Sequence, residues 1–405
     1  MTFKSIWHYT AAFIAGLLAI TGCKTTRVLP TSPATDTVAV VPSPPADTTT
    51  YYVTATGDTL ETLGEEVDKQ VFRLMKDTVS IIGVGDIMMG TNYPDASYLP
   101  PGGAKSLWAP VFPVLQNADV TFGNLEGVLL NKGGIPKYCS NPKLCYLFRT
   151  PDSMATHLVT AGFDLLSMAN NHAGDFGQPG RNNTKKVLDS LGIAHAGLLS
   201  TPSRILKQDG MIYGFAAFAP NTGTMSINKL DSAKQIIAHL DSLTDIVIVS
   251  FHGGAEGSKH EHVTRKREIF YGENRGNVYN FAHELINSGA DVVFGHGPHV
   301  TRAIEVYQNR FIIYSLGNFC TYARFNLRGP NGLAPIVKVY TDSVGAFRYA
   351  EITPIVQRGE GGPVIDDQKR VIKKIKKLTD KDFPEHNLTI TDEGLVVVNP
   401  GNDKH

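Results

Sequence analysis

The sequence predicts a layered α/β domain, and three features predict it. Short apolar strands alternate with helical segments from residue 79 onward. Polar residues of the metal-ligand type fall at the ends of those strands, and glycines flank them. Alternating strands and helices imply a largely buried sheet covered by helices. In open α/β sheets the carboxyl ends of the strands are where sites form.

The elements before that domain read differently. Residues 1–23 carry Lys4, an apolar run over 11–20, and then Ile20-Thr21-Gly22-Cys23. The run is too short for a comfortable permanent span and has the form of a secretory signal. Small residues directly before Cys23 resemble a lipobox, in which the chain is cut before the Cys and the Cys is acylated. Burial of acyl chains at about 0.8 kcal/mol per CH2 then anchors the protein to a membrane. The alternative is an ordinary signal peptide with an incidental Cys. The lipobox reading places the chain in the cell envelope, lipid-anchored and outside the cytoplasm. Residues 24–50 are rich in Pro, Thr, Ser and Ala. They cannot bury enough surface to offset chain entropy, so they read as a tether. Residues 51–78 are a lead-in, with Leu60, Leu63, Val67, Val71 and Leu74 near helical spacing over 58–75.

Within the domain, strands are predicted over 79–85, 118–122, 164–168, 212–218, 245–251, 291–294 and 311–316. Helices are predicted over 153–161, 184–191 and 279–288. The domain is bounded at 79–356, and 357–405 reads as a C-terminal extension. That extension has a basic helix-like run at 369–377, taken as a solvated face, and a strand at 395–398. With 38 Lys+Arg against 38 Asp+Glu the net charge is zero, and no basic stripe is present. A nucleic-acid partner is therefore not expected.

Export permits disulfides. Cys139 and Cys145 can close a small loop; two free thiols are the alternative, and the spacing is wrong for a zinc clip. Cys320 reads as a buried thiol.

The polar residues at the strand ends carry the chemistry. The strands run into Gly85-Asp86, Asn124-Leu125-Glu126, Asn170-Asn171-His172 with Asp175, His252-Gly253 with Glu256, and Gly295-His296 with Pro298-His299. Singly, Asp86 or Asn171 is more often a cap or turn residue, His252 a core histidine, and Glu126 a surface residue. Recurrence at successive strand ends is not independent decoration. Carboxylate, amide oxygen and imidazole together suit Mn, Fe, Zn or Mg, as one or two ions.

This ordered set, followed by Tyr314-Ser315-Leu316-Gly317-Asn318-Phe319, resembles the CapA family of capsule and poly-γ-glutamate biosynthesis. That family is similar to calcineurin-like metallophosphoesterases. The resemblance implies a four-layer αββα sandwich of two mixed sheets flanked by helices. It implies Asp86, Glu126, Asn171, His252, His296 and His299 as metal ligands. His172 becomes the general acid or phosphate-facing group, oriented by Asp175. Asn124, Glu256 and Asn318 become substrate-facing or supporting groups. The sequence departs from the metallophosphoesterase pattern at Met88 and Glu126, where a His and an Asp are usual. It departs from the family run Gly-His-His-Pro-His at Gly297. These changes remove nitrogen donors and bear on a second metal position.

The implied function is a metal-dependent, metallophosphoesterase-like hydrolase or transferase acting on an extracellular anionic polymer or its precursor. The alternatives are a non-catalytic polymer-binding component of a complex with other capsule synthesis proteins, and a metal-supported scaffold. Fold analogy alone does not choose among them.

Overall fold

The computed structural model describes residues 76–139 and 145–400, and the backbone of two short strands nearer the N-terminus. The chain divides into two units, Met1–Gln70 and Val71–His405. In the first, Tyr52–Val53 and Thr59–Leu60 pair antiparallel. The expected 58–75 helix therefore begins with strand at Thr59–Leu60. The lipobox, the tether and most of the lead-in lie outside the described residues. Among the described residues no helix is long and apolar enough to cross a membrane.

The strands of the two large sheets are, in order, β1 (Val79–Met88), β2 (Val120–Leu125), β3 (Leu165–Ser167), β4 (Ala194–Ala196), β5 (Ser203–Gln208), β6 (Met211–Phe218), β7 (Ile246–His252) and β8 (Val292–His296). They continue as β9 (Ile304–Tyr307), β10 (Arg310–Ile313), β11 (Asn318–Thr321), β12 (Leu333–Thr341), β13 (Phe347–Gln357), β14 (Pro363–Ile365), β15 (Leu388–Ile390) and β16 (Leu395–Val398). The helices are α1 (Lys105–Trp108), α2 (Phe112–Leu115), α3 (Thr156–Ala161), α4 (Gly177–Ser190), α5 (Leu230–Asp241), α6 (Val278–Ile286) and α7 (Arg370–Asp382).

Two mixed sheets pack face to face. The larger runs β15-β16-β13-β12-β1-β2-β3-β4, with β11 also on β1 and β14 on β13. The smaller runs β9-β10-β8-β7-β6-β5. Each contains a parallel run: β1 to β4, ending at an edge, in one, and β6, β7, β8 and β10 in the other. Period-two alternation sorts the side chains of each strand into layers. Val79 and Ile81 of β1 and Ile246 and Ile248 of β7 meet between the sheets, with Phe122 and Phe294 stacked there at 5.3 Å. Ile82 and Val84 face outward under α1 to α4, against Trp108, Leu158 and Leu188. Val247 and Val249 face outward under α5 and α6, against Ile237, Phe281 and Leu285. With both faces covered, these strands read as continuous apolar runs. The four-layer αββα sandwich expected from the sequence is the architecture.

The segment after 356 is built into the fold rather than appended. β14 and β16 pair with β13, and β15 closes that edge. Helix α7 places Val371, Ile372 and Ile375 in the core between the sheets. Its expected helical run of 369–377 extends to Asp382, and the lysine-rich face lies outward. Helix α4 begins well before the expected 184. Its buried stripe is Gly180, Thr184 and Leu188, which is not an apolar pattern.

Candidate metal centre

The parallel strands of both sheets end on the same side and deliver the polar residues there. Asp86 on β1 is in register with Asn124 on β2 and Asn318 on β11, and His252 on β7 with His296 on β8. Local geometry fixes Asp86. Its N–H donates to the Gly317 carbonyl at 2.9 Å. A Cβ on the preceding Gly85 would lie 1.9 Å from that same oxygen, so only glycine lets the strands approach there.

Asn124 is the hub behind the carboxylates. Its Nδ2 donates to Asp86 Oδ1 (2.9 Å) and Glu126 Oε2 (2.6 Å), and its Oδ1 accepts from Asn170 Nδ2 (3.0 Å). Asn170 also donates to the Leu125 carbonyl (2.8 Å) and accepts the His172 N–H (3.0 Å). The other Asp86 oxygen accepts from His299 Nδ1 at 2.8 Å. That bond keeps a proton on His299 Nδ1 and orients the ring, as carboxylates behind metal-binding histidines do.

The front of the site is unsatisfied. Glu126 Oε1, both ring nitrogens of His252 and Asn171 Oδ1 are buried with no hydrogen-bond partner. Glu126 Oε1 lies 3.4 Å from His252 Nε2, and ligand atoms of Glu126, His252 and His299 all lie within 4.8 Å of one another. Each orphaned buried polar atom costs about 1–3 kcal/mol. A divalent cation accepting one carboxylate oxygen and two imidazole nitrogens relieves that cost, so the residues fit a metal.

The electrostatics agree. Burial and then the charge of Asp86 push the Glu126 carboxyl up to about 7. Burial alone would raise Asp86 as well, but its bond to His299 and that ring's charge outweigh it and hold Asp86 at about 2. Burial would lower His299; the bond to Asp86 reverses this and lifts it to about 9. His252 is driven well below its ordinary value by burial and then by Arg275.

Beside the three converging groups stands His172. Its Nδ1 lies 2.7 Å from Asp175 Oδ2 and its Nε2 is 3.9 Å from Glu126 Oε1. Asp175 Oδ2 also accepts the Phe148 N–H (2.7 Å), and Asp175 Oδ1 pairs with Lys137 Nζ at 2.5 Å. The Phe148 ring covers the His172 ring at 4.2 Å.

The other expected site residues make bonds of their own. His296, expected as a ligand, turns its Nε2 to the Val84 carbonyl (3.1 Å) and its Nδ1 toward Ser250 Oγ (3.4 Å). It pins one sheet to the other and stands outside the converging group. Asp86, also expected as a ligand, accepts one hydrogen bond on each oxygen, from Asn124 and from His299. Glu256 pairs with Arg275 at 3.1 Å. Asn318 donates to the carbonyls of His299 and Asn331, holding the left-handed His299 loop (φ 56°). The expected strand at 311–316 stops at Ile313, and 314–317 crosses over Asp86 instead. Met88 is buried and accepts the Gly90 N–H on its sulfur, so it offers the site nothing. Cys139 and Cys145 form a disulfide, and Cys320 is a buried free thiol.

Sequence reasoning missed Lys137 and Phe148, which flank that disulfide. They lie in a stretch without periodicity, and the cysteine pair was the signal that the stretch is pinned. It also missed Arg275 and Arg302. Arg275 Nε donates to the Gly254 carbonyl (3.0 Å). Arg302 grips both oxygens of buried Glu268, which accepts the Ala255 N–H. Together they stiffen the loop that follows His252.

The family model described as bacterial capsule synthesis protein PGA_cap matches residues 80–323. A PGA biosynthesis protein CapA of Bacillus subtilis is 28% identical over 323 residues, covering 74% of this chain and 78% of that protein. A capsule biosynthesis protein CapA of Bacillus anthracis is 27% identical over 320 residues, covering 74% and 73%. Among solved structures, purple acid phosphatase PPD1 from yellow lupin aligns at TM-score 0.36 and 11% identity, covering 73% of this chain and 55% of that one.

Proposed function

The chain belongs to the bacterial capsule synthesis family PGA_cap, and on that premise we propose that its domain is a metal-dependent hydrolase or transferase of capsule or poly-γ-glutamate synthesis. Its substrate is an extracellular anionic polymer or its precursor, and Cys23 anchors it to the membrane in company with other capsule synthesis proteins. One observation carries the catalytic part. Glu126 Oε1 and the His252 nitrogens are buried, unpaired and within ligand distance of His299.

A bound divalent ion supplies a Lewis acid and a water of lowered pKa. The chain's own residues do the rest. Asp86 holds the His299 ring, and Asn124 sets the angle between the two carboxylates. Asp175 accepts the hydrogen bond of His172 Nδ1–H, which leaves Nε2, on the side of Glu126, to accept or return a proton. Lys137 and the Phe148 N–H hold Asp175 in place, and the Phe148 ring keeps water off one face of His172.

The test is metal analysis of the purified protein together with hydrolysis of phosphodiesters and γ-glutamyl oligomers. Wild type retains a divalent ion and His252→Ala loses it. His172→Ala retains the ion but loses turnover. Unchanged metal content in His252→Ala removes the site. Full metal with no turnover on any polymer, but retained polymer binding, replaces catalysis with a binding role.

A further inference from the structure

The approach to the centre is walled by aromatic rings. Phe148 covers His172 at 4.2 Å, Phe325 stacks on Phe148 at 5.0 Å, and the Phe325 ring meets His299 edge-on at 6.1 Å. The residue before Phe325 is Arg324. It sits just after β11, where Ala323 and Arg324 both adopt left-handed backbone (φ 52° and 53°). Its guanidinium lies 4.7 Å from the Tyr98 ring and 5.1 Å from the Tyr146 ring.

Arg324 differs from the other arginines around the site in having no partner. Arg275 is neutralised by Glu256 and Glu273, and Arg302 by Glu268. Arg149 donates to Asn92 and to the Gly133 carbonyl. Lys137, the other cation at the rim, is tied to Asp175. Arg324 makes no hydrogen bond or ion pair among the described residues, and its Nε is buried without one. The carboxylate in electrostatic reach, Asp95, accepts the Ser97 N–H at 2.9 Å.

A guanidinium fixed between two rings has already lost its rotamer freedom, and its planar fork matches a carboxylate or phosphate oxygen pair. We infer that Arg324, clamped by Tyr98 and Tyr146, receives an anionic side group of the chain whose reacting bond lies at the Glu126–His252–His299 centre. The shared chemistry is an oxyanion, from an acidic polymer's carboxylate or from a phosphate group. This rests on the polymer reading above only for the source of that anion.

The test is calorimetric titration of manganese-supplemented wild type, Arg324→Ala and Arg324→Lys. Three probes are used: a γ-linked glutamate hexamer, the same hexamer with its free carboxylates amidated, and inorganic phosphate. The acidic hexamer is expected to bind wild type and to lose about tenfold or more, the weight of a lost charge-assisted bond, in Arg324→Ala. Arg324→Lys keeps the charge but not the fork and is expected to recover only part. The amidated hexamer binds all three alike, and bound metal is unchanged. Arg324→Lys decides should Arg324→Ala fail to fold. Acidic-hexamer binding that ignores position 324 overturns the assignment and leaves the polymer reading standing. Phosphate binding that depends on Arg324, with no hexamer binding, keeps the anion subsite and removes the polymer. No binding of any anion by wild type overturns both.

Discussion

Glu126→Gln is expected to stabilise the metal-free protein while ruining its affinity for metal. The carboxyl has no exposed surface, and its pKa rises from 4.5 to about 7 through burial and then the charge of Asp86. Below 4.5 both folded and unfolded states hold the proton and nothing is lost. Between there and about 7 the unfolded chain ionises first, so stability falls as pH rises. Above 7 the cost stays in full, on the order of 3 kcal/mol at 1.36 kcal/mol per pKa unit. Glutamine removes that cost and keeps the shape. Its oxygen accepts from Asn124 Nδ2, and its nitrogen donates to His252 Nε2, whose counterpart carboxylate oxygen lies 3.4 Å away. With chelator at pH 8, thermal unfolding of the variant is expected about 5 °C or more above wild type. The two curves converge toward pH 4. With Mn2+ in thousandfold excess over its dissociation constant, wild type gains about 4 kcal/mol and the order reverses. A metal-free Glu126→Gln that melts below wild type at pH 8 would refute the reasoning, because Glu126 would then be satisfied by the fold itself.

Three further outcomes follow from the same structure. Gly85→Ala is expected to cost about 3 kcal/mol or more in urea unfolding and to weaken metal binding with it. The added Cβ meets the Gly317 oxygen that positions Asp86, and an unshifted midpoint contradicts this. Arg302→Met leaves Glu268 charged and buried and is expected to cost about 3–5 kcal/mol. Arg302→Met with Glu268→Gln recovers much of it, and failure to recover rules out the ion pair as the cause. Cys23→Ala is expected to move the protein from the membrane to the soluble fraction, and acyl labelling that persists in this variant excludes Cys23 as the lipid site.

The layers and the location of the site were legible because both rest on short-range patterns. Apolar runs broken by glycine marked the parallel strands, and the polar residues after them marked their shared end. The division of labour within the site was not legible. His296 and His252 stand at equivalent positions on neighbouring strands, yet only His296 finds a carbonyl across the sandwich, at Val84. Asp86 reads as a ligand, and its bonds to Asn124 and His299 could not be read from spacing. The long strands β12 and β13 were not among the predicted strands, and each carries a proline, Pro335 and Pro354, a residue uncommon in interior strands. In the fold these prolines face one another across the ladder, beyond the stretch where β12 pairs with β1. The early start of α4 was hidden by a stripe whose key member is a glycine.

The placement of β12 bears on how this protein can be handled. β1, the first strand of the sandwich, takes β2 on one side; on the other, β11 covers residues 86–88, but residues 79–83 wait for residues 337–341 of β12. The stretch matched by the family model ends at 323. A fragment trimmed to that stretch would leave residues 79–83 of β1 as an apolar edge with unpaired backbone groups, a template for aggregation. Soluble expression therefore requires the chain to run on through β16, and nicks between 323 and 398 should be as damaging as nicks at the site.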